Sequence, residues 1–456
     1  MILTRIHNLL SYKNSNKELD MPEKCILILL DGLGDRSCRE FDSKTPLQAA
    51  KTPVLDKVAQ ASANGLYHAA CMGQALPSEN SHFTIFGYDI KEFPGRGALE
   101  ALGAGIEFQH KDVALLSHFA SITESEKKLV LEQGKPVISD RELAEFVDVV
   151  REFETGGVRI RFNPTGGIRG IVTLHGSVSP FITDSDPFVD NRPLINIQPW
   201  DGYRDDPATV NSARALKKYL IHVYHKLRVH PVNQARIKNG KLPINCLVTQ
   251  RAGQLKHVTP FDDRYGLRGL SMASGPMYWG LGRYIGLDVK KVTDTGNPGN
   301  DLAERIHMAY ECSNEYDFIH VHTKTPDEAA HKKNPLAKKS VIESLDKGIG
   351  KVIQPLLEDP DLLVIVTADH STPSSGPLIH SGESVPILFH GSGVRRDRVR
   401  QFDEISAASG ALGNLRGKEL IYLVLNHLNR SKLHGIMDTP VDQPYWPGKY
   451  TPFILE

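Results

Sequence analysis

The stretch Leu362–Ser384, LLVIVTADHSTPSSGPLIHSGES, narrows the folds open to this chain more than any other. Its first residues, Leu362 to Thr367, form an uninterrupted apolar run with β-branched members, the pattern of a parallel strand buried on both faces. The run leads directly into Asp369 and His370, with His380 ten residues further on. Open α/β sheets place their chemistry beyond the carboxyl ends of such strands. An aspartate and a histidine at the mouth of a buried strand are costly to desolvate unless a cation or a partner compensates them, and a metal ion is the economical compensation. An Asp–His pair capping a loop, with His380 merely on the surface, is the blander reading of this stretch taken alone.

The same design occurs twice more. Cys25–Leu30, CILILL, ends at Asp31-Gly32-Leu33-Gly34-Asp35, where glycines let the backbone turn sharply beside a carboxylate. Asp317–Val321, DFIHV, opens onto His322, Lys324, Asp327 and His331. With Pro326 in a first helical turn, Asp327 and His331 share one helix face, which suits two ligands of one cation. Taken singly, Asp31 also reads as a turn aspartate, and Asp327–His331 as a solvated ion pair. In LPSENSHFTIFGYD, Leu76–Asp89, Ser78 follows a proline and precedes Glu79, Asn80, Ser81 and His82. It either caps a helix or carries a nucleophile, and local sequence favours the cap.

At 456 residues the chain is long enough for two or three domains. Lysine plus arginine (54) balances aspartate plus glutamate (54), so there is no general electrostatic basis for binding nucleic acid or an anionic membrane. No apolar run approaches the roughly 20 residues of a membrane span. Cys25, Cys38, Cys71, Cys246 and Cys312 are scattered without CxxC spacing, which fits buried thiols in a reducing cytoplasm. Residues 1–20 read as a loosely held N-terminal extension, with Met21 an alternative start. From about Gly95 the texture becomes glycine-rich with short strands, and from Tyr265 it returns to α/β. The expected layout is a split parallel-sheet domain, 21–92 and 262–456, interrupted by an insert, 93–261. In that insert Arg141, Arg169, Arg236 and Arg251 lie near glycines or strand ends. Arginines placed so suit the bidentate grip of carboxylate or phosphate, although each taken alone reads better as an ordinary surface arginine.

Counted together, Asp31, Ser78, Asp327, His331, Asp369, His370 and His380 offer metal-ligand side chains and a hydroxyl, most of them just beyond a strand. Two divalent ions suit this set, and the chemistry that needs it is phosphoryl transfer, where cations neutralise non-bridging oxygens while an oxygen nucleophile attacks in line.

The chain resembles the alkaline phosphatase superfamily and, within it, the cofactor-independent phosphoglycerate mutases of the archaeal type. The resemblance covers nearly all of the chain after residue 21 and rests on LLDGLGDR, KTPLQAAKTPVLD, PSENSHFTIFGYD, GRGALEALGAGIEF, HPVNQARIKNGKLPIN, HTKTPDEAAH and TADHSTP with HSG. It implies an alkaline-phosphatase-like parallel-sheet sandwich domain with an inserted smaller α/β domain. It implies one metal ion held by Asp31, Ser78, Asp369 and His370, a second held by Asp327, His331 and His380, and Ser78 as the residue phosphorylated. It makes the insert a substrate-orienting lobe carrying His118, Arg141, Arg169, Arg236 and Arg251, with Lys324 close to the transferred group. The family's SDTAH is SENSH here, its GHDGD is AHKKN and its DRRAGRI is DRELAEF. The metal ligands survive these changes, whereas a lost arginine removes a charge-assisted bond worth about 1.5–3 kcal/mol.

The expected activity is a metal-dependent isomerase interconverting 3-phosphoglycerate and 2-phosphoglycerate through a phosphoserine, without 2,3-bisphosphoglycerate. The ion set fits manganese first, with zinc, cobalt and magnesium open. The partner expected is a small phosphorylated hydroxy acid, with neither nucleic acid nor membrane involved. A phosphatase or another phosphomutase with the same metal centre is the alternative, and a non-catalytic binding protein of the same fold is a third.

Overall fold

The structure is a computed structural model that describes residues 21–455; the N-terminal extension expected over 1–20 lies outside the described residues. The chain divides into two compact units, one formed by the described residues up to 74 with 297–321 and 325 onward, the other by 75–296 with 322–324.

The first unit is built on strands in the order Phe318–Thr323, Lys24–Leu30, Leu362–Thr367, Val385–His390, Ala63–His68 and Gly413–Arg416. Cys25–Leu30 and Leu362–Val366 are almost wholly excluded from solvent, as their continuous apolar sequences require of strands covered on both faces. They pair in parallel, Lys24 opposite Leu362 through Leu29 opposite Thr367. Val385–His390 then runs antiparallel to both of its neighbours, because the chain returns from Thr367 through a loop and not through a crossover helix. After Lys24–Leu30 the chain forms short helices Pro46–Ala49 and Pro53–Gln60, each with a proline in its first turn. Helix Pro335–Gly350 is capped by the Asn334 side chain, which accepts from the Ala337 N–H, and is followed by Ile353–Glu358.

The second unit carries an antiparallel sheet in the order Glu152–Thr155, Val158–Gly166, Arg169–His175, Val113–Ser125, Lys128–Gln133 and Arg192–Pro193, with Cys246–Gly253 paired to the other edge of Val113–Ser125. Helix Pro207–Arg228, whose N-terminus is capped by the Asp206 carboxylate, lays Leu216, Leu220, Val223 and Leu227 into its core with Phe119 and Phe146. Helices Arg96–Ala104 and Pro276–Tyr284 meet backbone to backbone: a Cβ on Gly280 would lie 1.7 Å from the Leu99 carbonyl oxygen, and one on Gly103 would lie 1.8 Å from that of Pro276. Among the described residues no helix is long and apolar enough to cross a membrane.

Gly280→Ala tests that contact. Alanine gains up to about 1 kcal/mol of helix propensity, but neither backbone can yield to the added methyl, and overpacking costs about 1–3 kcal/mol. Lower thermal stability is expected; unfolding at the parent temperature or above would show that the helices are not so close.

Candidate active site

The parallel register of Lys24–Leu30 and Leu362–Thr367 determines the first half of the site. Because Leu29 faces Thr367, the chains leave the sheet side by side, and Asp31 and Asp369 emerge at the same level. The Gly32 N–H donates to Asp369 Oδ1 at 3.0 Å. His370 Nε2 lies 3.1 Å from Asp369 Oδ2 and 3.6 Å from Asp31 Oδ1, and these ligand atoms cluster within 4.8 Å of one another. Asp327, His331 and His380 form a second such cluster. On helix Thr325–His331, His331 Nε2 stands 3.1 Å from Asp327 Oδ1, and His380 Nε2 stands 3.5 Å from the same oxygen. The two clusters adjoin, since the His370 and His380 rings stack with centroids 3.8 Å apart.

The donor chemistry fits cations. Thr372 Oγ1 donates to Asp327 Oδ1 at 2.8 Å, so its contact at 3.1 Å with His370 must be an Nδ1–H donating to the threonine. That tautomer presents the bare Nε2 to two carboxylates. Burial pushes the His370 imidazole below its ordinary pKa, against the opposing pull of Asp369 and Asp31. A neutral nitrogen and two anionic carboxylates held together away from water repel unless a cation lies among them. Mixed oxygen and imidazole donors suit divalent transition ions. Asp31, Asp327 and Asp369 are buried while His331 is exposed, so the second cluster opens toward solvent.

The second unit holds the remaining candidates. Ser78 is the first residue of helix Ser78–Ile85 and not its cap: Pro77, extended at φ −73 and ψ 154, occupies the N-cap position. One turn on, the His82 Nδ1–H donates to the Ser78 carbonyl at 2.9 Å. Lys324 Nζ donates to the Tyr278 hydroxyl at 3.3 Å.

His118, Arg169 and Arg251 line one cavity of about 860 Å3, joined by Arg96 and Lys135. His118 and Arg169 are cross-strand partners. Burial lowers the His118 pKa, Asp186 opposes, and Lys135 and Arg169 add to the lowering. Arg251 sits in a β-bulge with φ 55, its N–H donating to Asp184 Oδ1 at 2.7 Å. A bulge re-aims a side chain in this way. The Arg251 guanidinium donates to Glu79 Oε1 at 2.6 Å, and Arg96 reaches Glu79 Oε2 at 3.4 Å, so one buried carboxylate holds two arginines.

Arg141 and Arg236 stand apart from this cavity. Arg141 is exposed at the start of helix Asp140–Val150. Arg236 is buried, its guanidinium donating to the Leu242 carbonyl at 2.9 Å, the Glu142 carboxylate at 3.0 Å and the Val137 carbonyl at 3.2 Å. These bonds leave it a packing task instead of the substrate grip expected of it. Sequence reasoning missed Arg96, Glu79 and Lys135. For Arg96 a signal was present in GRGALEALGAG: Gly97 is needed because a Cβ there would lie 2.1 Å from the Ala114 carbonyl, which seats the arginine's helix on the sheet.

A model of the metalloenzyme superfamily matches residues 23–427. A 2,3-bisphosphoglycerate-independent phosphoglycerate mutase 2 of Methanocaldococcus jannaschii is 41% identical over 421 residues, 91% of this chain and 95% of the relative. The chain belongs to the 2,3-bisphosphoglycerate-independent phosphoglycerate mutase family. A family member from Methanopyrus kandleri is 35% identical over 91% of this chain and 99% of its own length. Among solved structures, a Pyrococcus horikoshii protein superimposes with a TM-score of 0.74 at 28% identity, covering 91% of this chain and all of that one. The cofactor-independent phosphoglycerate mutase of Thermoplasma acidophilum gives 0.61 at 29% identity, over 89% and 99%.

Gly32 shows how tightly the metal-cluster loops pack. Its φ is 66, and a Cβ would lie 2.7 Å from both Asp327 Cβ and Thr372 Oγ1. Gly32→Ala is expected to weaken binding of a divalent cation at least about tenfold by calorimetric titration, as displaced supporting groups do. Unchanged affinity would show that the loops have room to spare.

Proposed function

We propose that this chain interconverts 3-phosphoglycerate and 2-phosphoglycerate without added 2,3-bisphosphoglycerate, through a phosphoserine at Ser78. The observation that carries this reading is the pair of adjoining carboxylate–imidazole clusters in a chain that spans nearly the whole length of relatives bearing that name. Cations held by Asp31, Asp369 and His370, with Ser78 completing the set, and by Asp327, His331 and His380 would supply neutralisation of the phosphoryl oxygens; manganese is our first choice, with zinc, cobalt or magnesium behind it.

The chain's own residues do the rest. The Ser78 oxygen loses its proton and attacks phosphorus; the Oγ–P bond forms as the P–O bond to the substrate breaks, and the freed substrate oxygen takes up a proton, so the balance is neutral. Lys324 would stabilise the charge on the transferred group. His118, Arg169 and Arg251, with Arg96 and Lys135, would hold the glycerate carboxylate while the molecule turns. The other hydroxyl then attacks the phosphoserine and restores Ser78. Productive turnover requires that water be kept from the phosphoserine, since hydrolysis would end the cycle as free phosphate. The free cysteines, three of them buried, support our reading of a reducing cytoplasmic setting.

The test supplies 3-phosphoglycerate and manganese to the chelated, reloaded protein and measures 2-phosphoglycerate against free phosphate. Isomer should dominate, and Arg169→Ala, which loosens the turning intermediate without touching the Glu79 clamp, should raise the phosphate share several-fold. Free phosphate as the main product of the parent would make the protein a phosphatase.

A further inference from the structure

Between Thr367 and Val385 the chain forms no helix or strand, yet it carries His370 of one cluster and His380 of the other. Two lysines from the segment after His331 hold it. Lys338, fully buried in helix Pro335–Gly350, donates to the Gly34 and Thr372 carbonyls, each at 2.8 Å, and to Asp35 Oδ2 at 3.1 Å. All three ammonium protons are thereby taken. Lys333, between helices Thr325–His331 and Pro335–Gly350, donates to the Pro373 carbonyl at 2.8 Å and the Leu378 carbonyl at 2.6 Å. Successive carbonyls, Thr372 and Pro373, are thus gripped by different lysines, and the loop is gripped again two residues before His380. Asp35 adds a third hold by accepting from the Ser374 N–H at 3.0 Å. Lys333 keeps this grip from a left-handed backbone, φ 53, which glycine adopts far more readily.

We propose that Lys333 and Lys338 are positioning residues of the metal centre, two ammonium clamps that set the loop from His370 to His380 and with it the spacing of the two ligand clusters. Lys338 sets the His370 end, through the carbonyl of the same Thr372 whose hydroxyl bridges His370 and Asp327. Lys333 sets the His380 end. The inference rests on the metal reading of the clusters and is independent of the substrate.

The experiment titrates the metal-free full chain with Mn2+ by calorimetry, beside Lys333→Met, Lys333→Gly and Lys333→Arg. Met and Gly should each weaken one of two ions about tenfold and leave the other unchanged, the scale seen when a ligand's support is lost. Arg, which still reaches the carbonyls, should restore the parent affinity. Gly also relieves the left-handed strain, so an affinity loss without a lower melting temperature separates positioning from stability. If the Met and Gly variants both bind two ions as the parent does, the proposal is overturned. Lys338→Met leaves the buried Asp35 carboxylate without its cation and risks misfolding, so it is paired with the double variant Lys338→Met/Asp35→Asn; a folded double variant with parent affinity for both ions overturns the role of Lys338. A parent chain that binds no metal overturns the metal reading and this inference together.

Discussion

The register between Lys24–Leu30 and Leu362–Thr367 is the constraint on which the carboxylate–imidazole clusters depend. It delivers Asp31 and Asp369 to one level at the sheet's edge, where neither carboxylate can retreat to water and a neutral His370 nitrogen faces both. Slipping one strand by a residue would turn every side chain to the opposite face and separate the pair. The burial that makes the strands stable is therefore what makes the site need a cation. Gly32 and Gly34 follow from the same closeness, since a Cβ on Gly34 would lie 2.7 Å from Val385 Cγ1.

The parts of the fold and site that could be read in the sequence are those governed by local periodicity. Three apolar runs ending on Asp or His marked strand ends, and the i,i+4 spacing of Asp327 and His331 marked a helix face. What could not be read depends on pairing partners far along the chain. Arg251 is aimed by a bulge and by Asp184, and Glu79 gathers Arg96 and Arg251; none of these contacts leaves a local pattern. The partners of Arg236 were not legible either, because an arginine beside a strand looks the same whether it grips a ligand or, as here, Glu142 and two carbonyls. Local sequence favoured a capping Ser78, but the proline before it, not the serine, takes the extended N-cap conformation.

The two arginine arrangements differ in what they leave available. Arg236 is buried with each of its three nitrogens donating to a protein partner, whereas Arg169 is exposed on the cavity wall opposite His118. Glu79 holds Arg96 and Arg251 from behind, which lowers the rotamer entropy lost when they meet a ligand. In the proposed reading this preorganises a positive wall for an anionic substrate, offset locally by Glu100, Asp186 and Asp190 on the same cavity.

The central claim is that the phosphoryl group passes through Ser78. Quenching the manganese-loaded protein in acid during turnover of 3-phosphoglycerate, then locating phosphate by peptide mass spectrometry, tests it most directly. The account predicts phosphate on Ser78 and none in Ser78→Ala, which should still bind metal. Phosphate on Ser81 or Thr84, or turnover with no phosphorylated peptide at all, would contradict it.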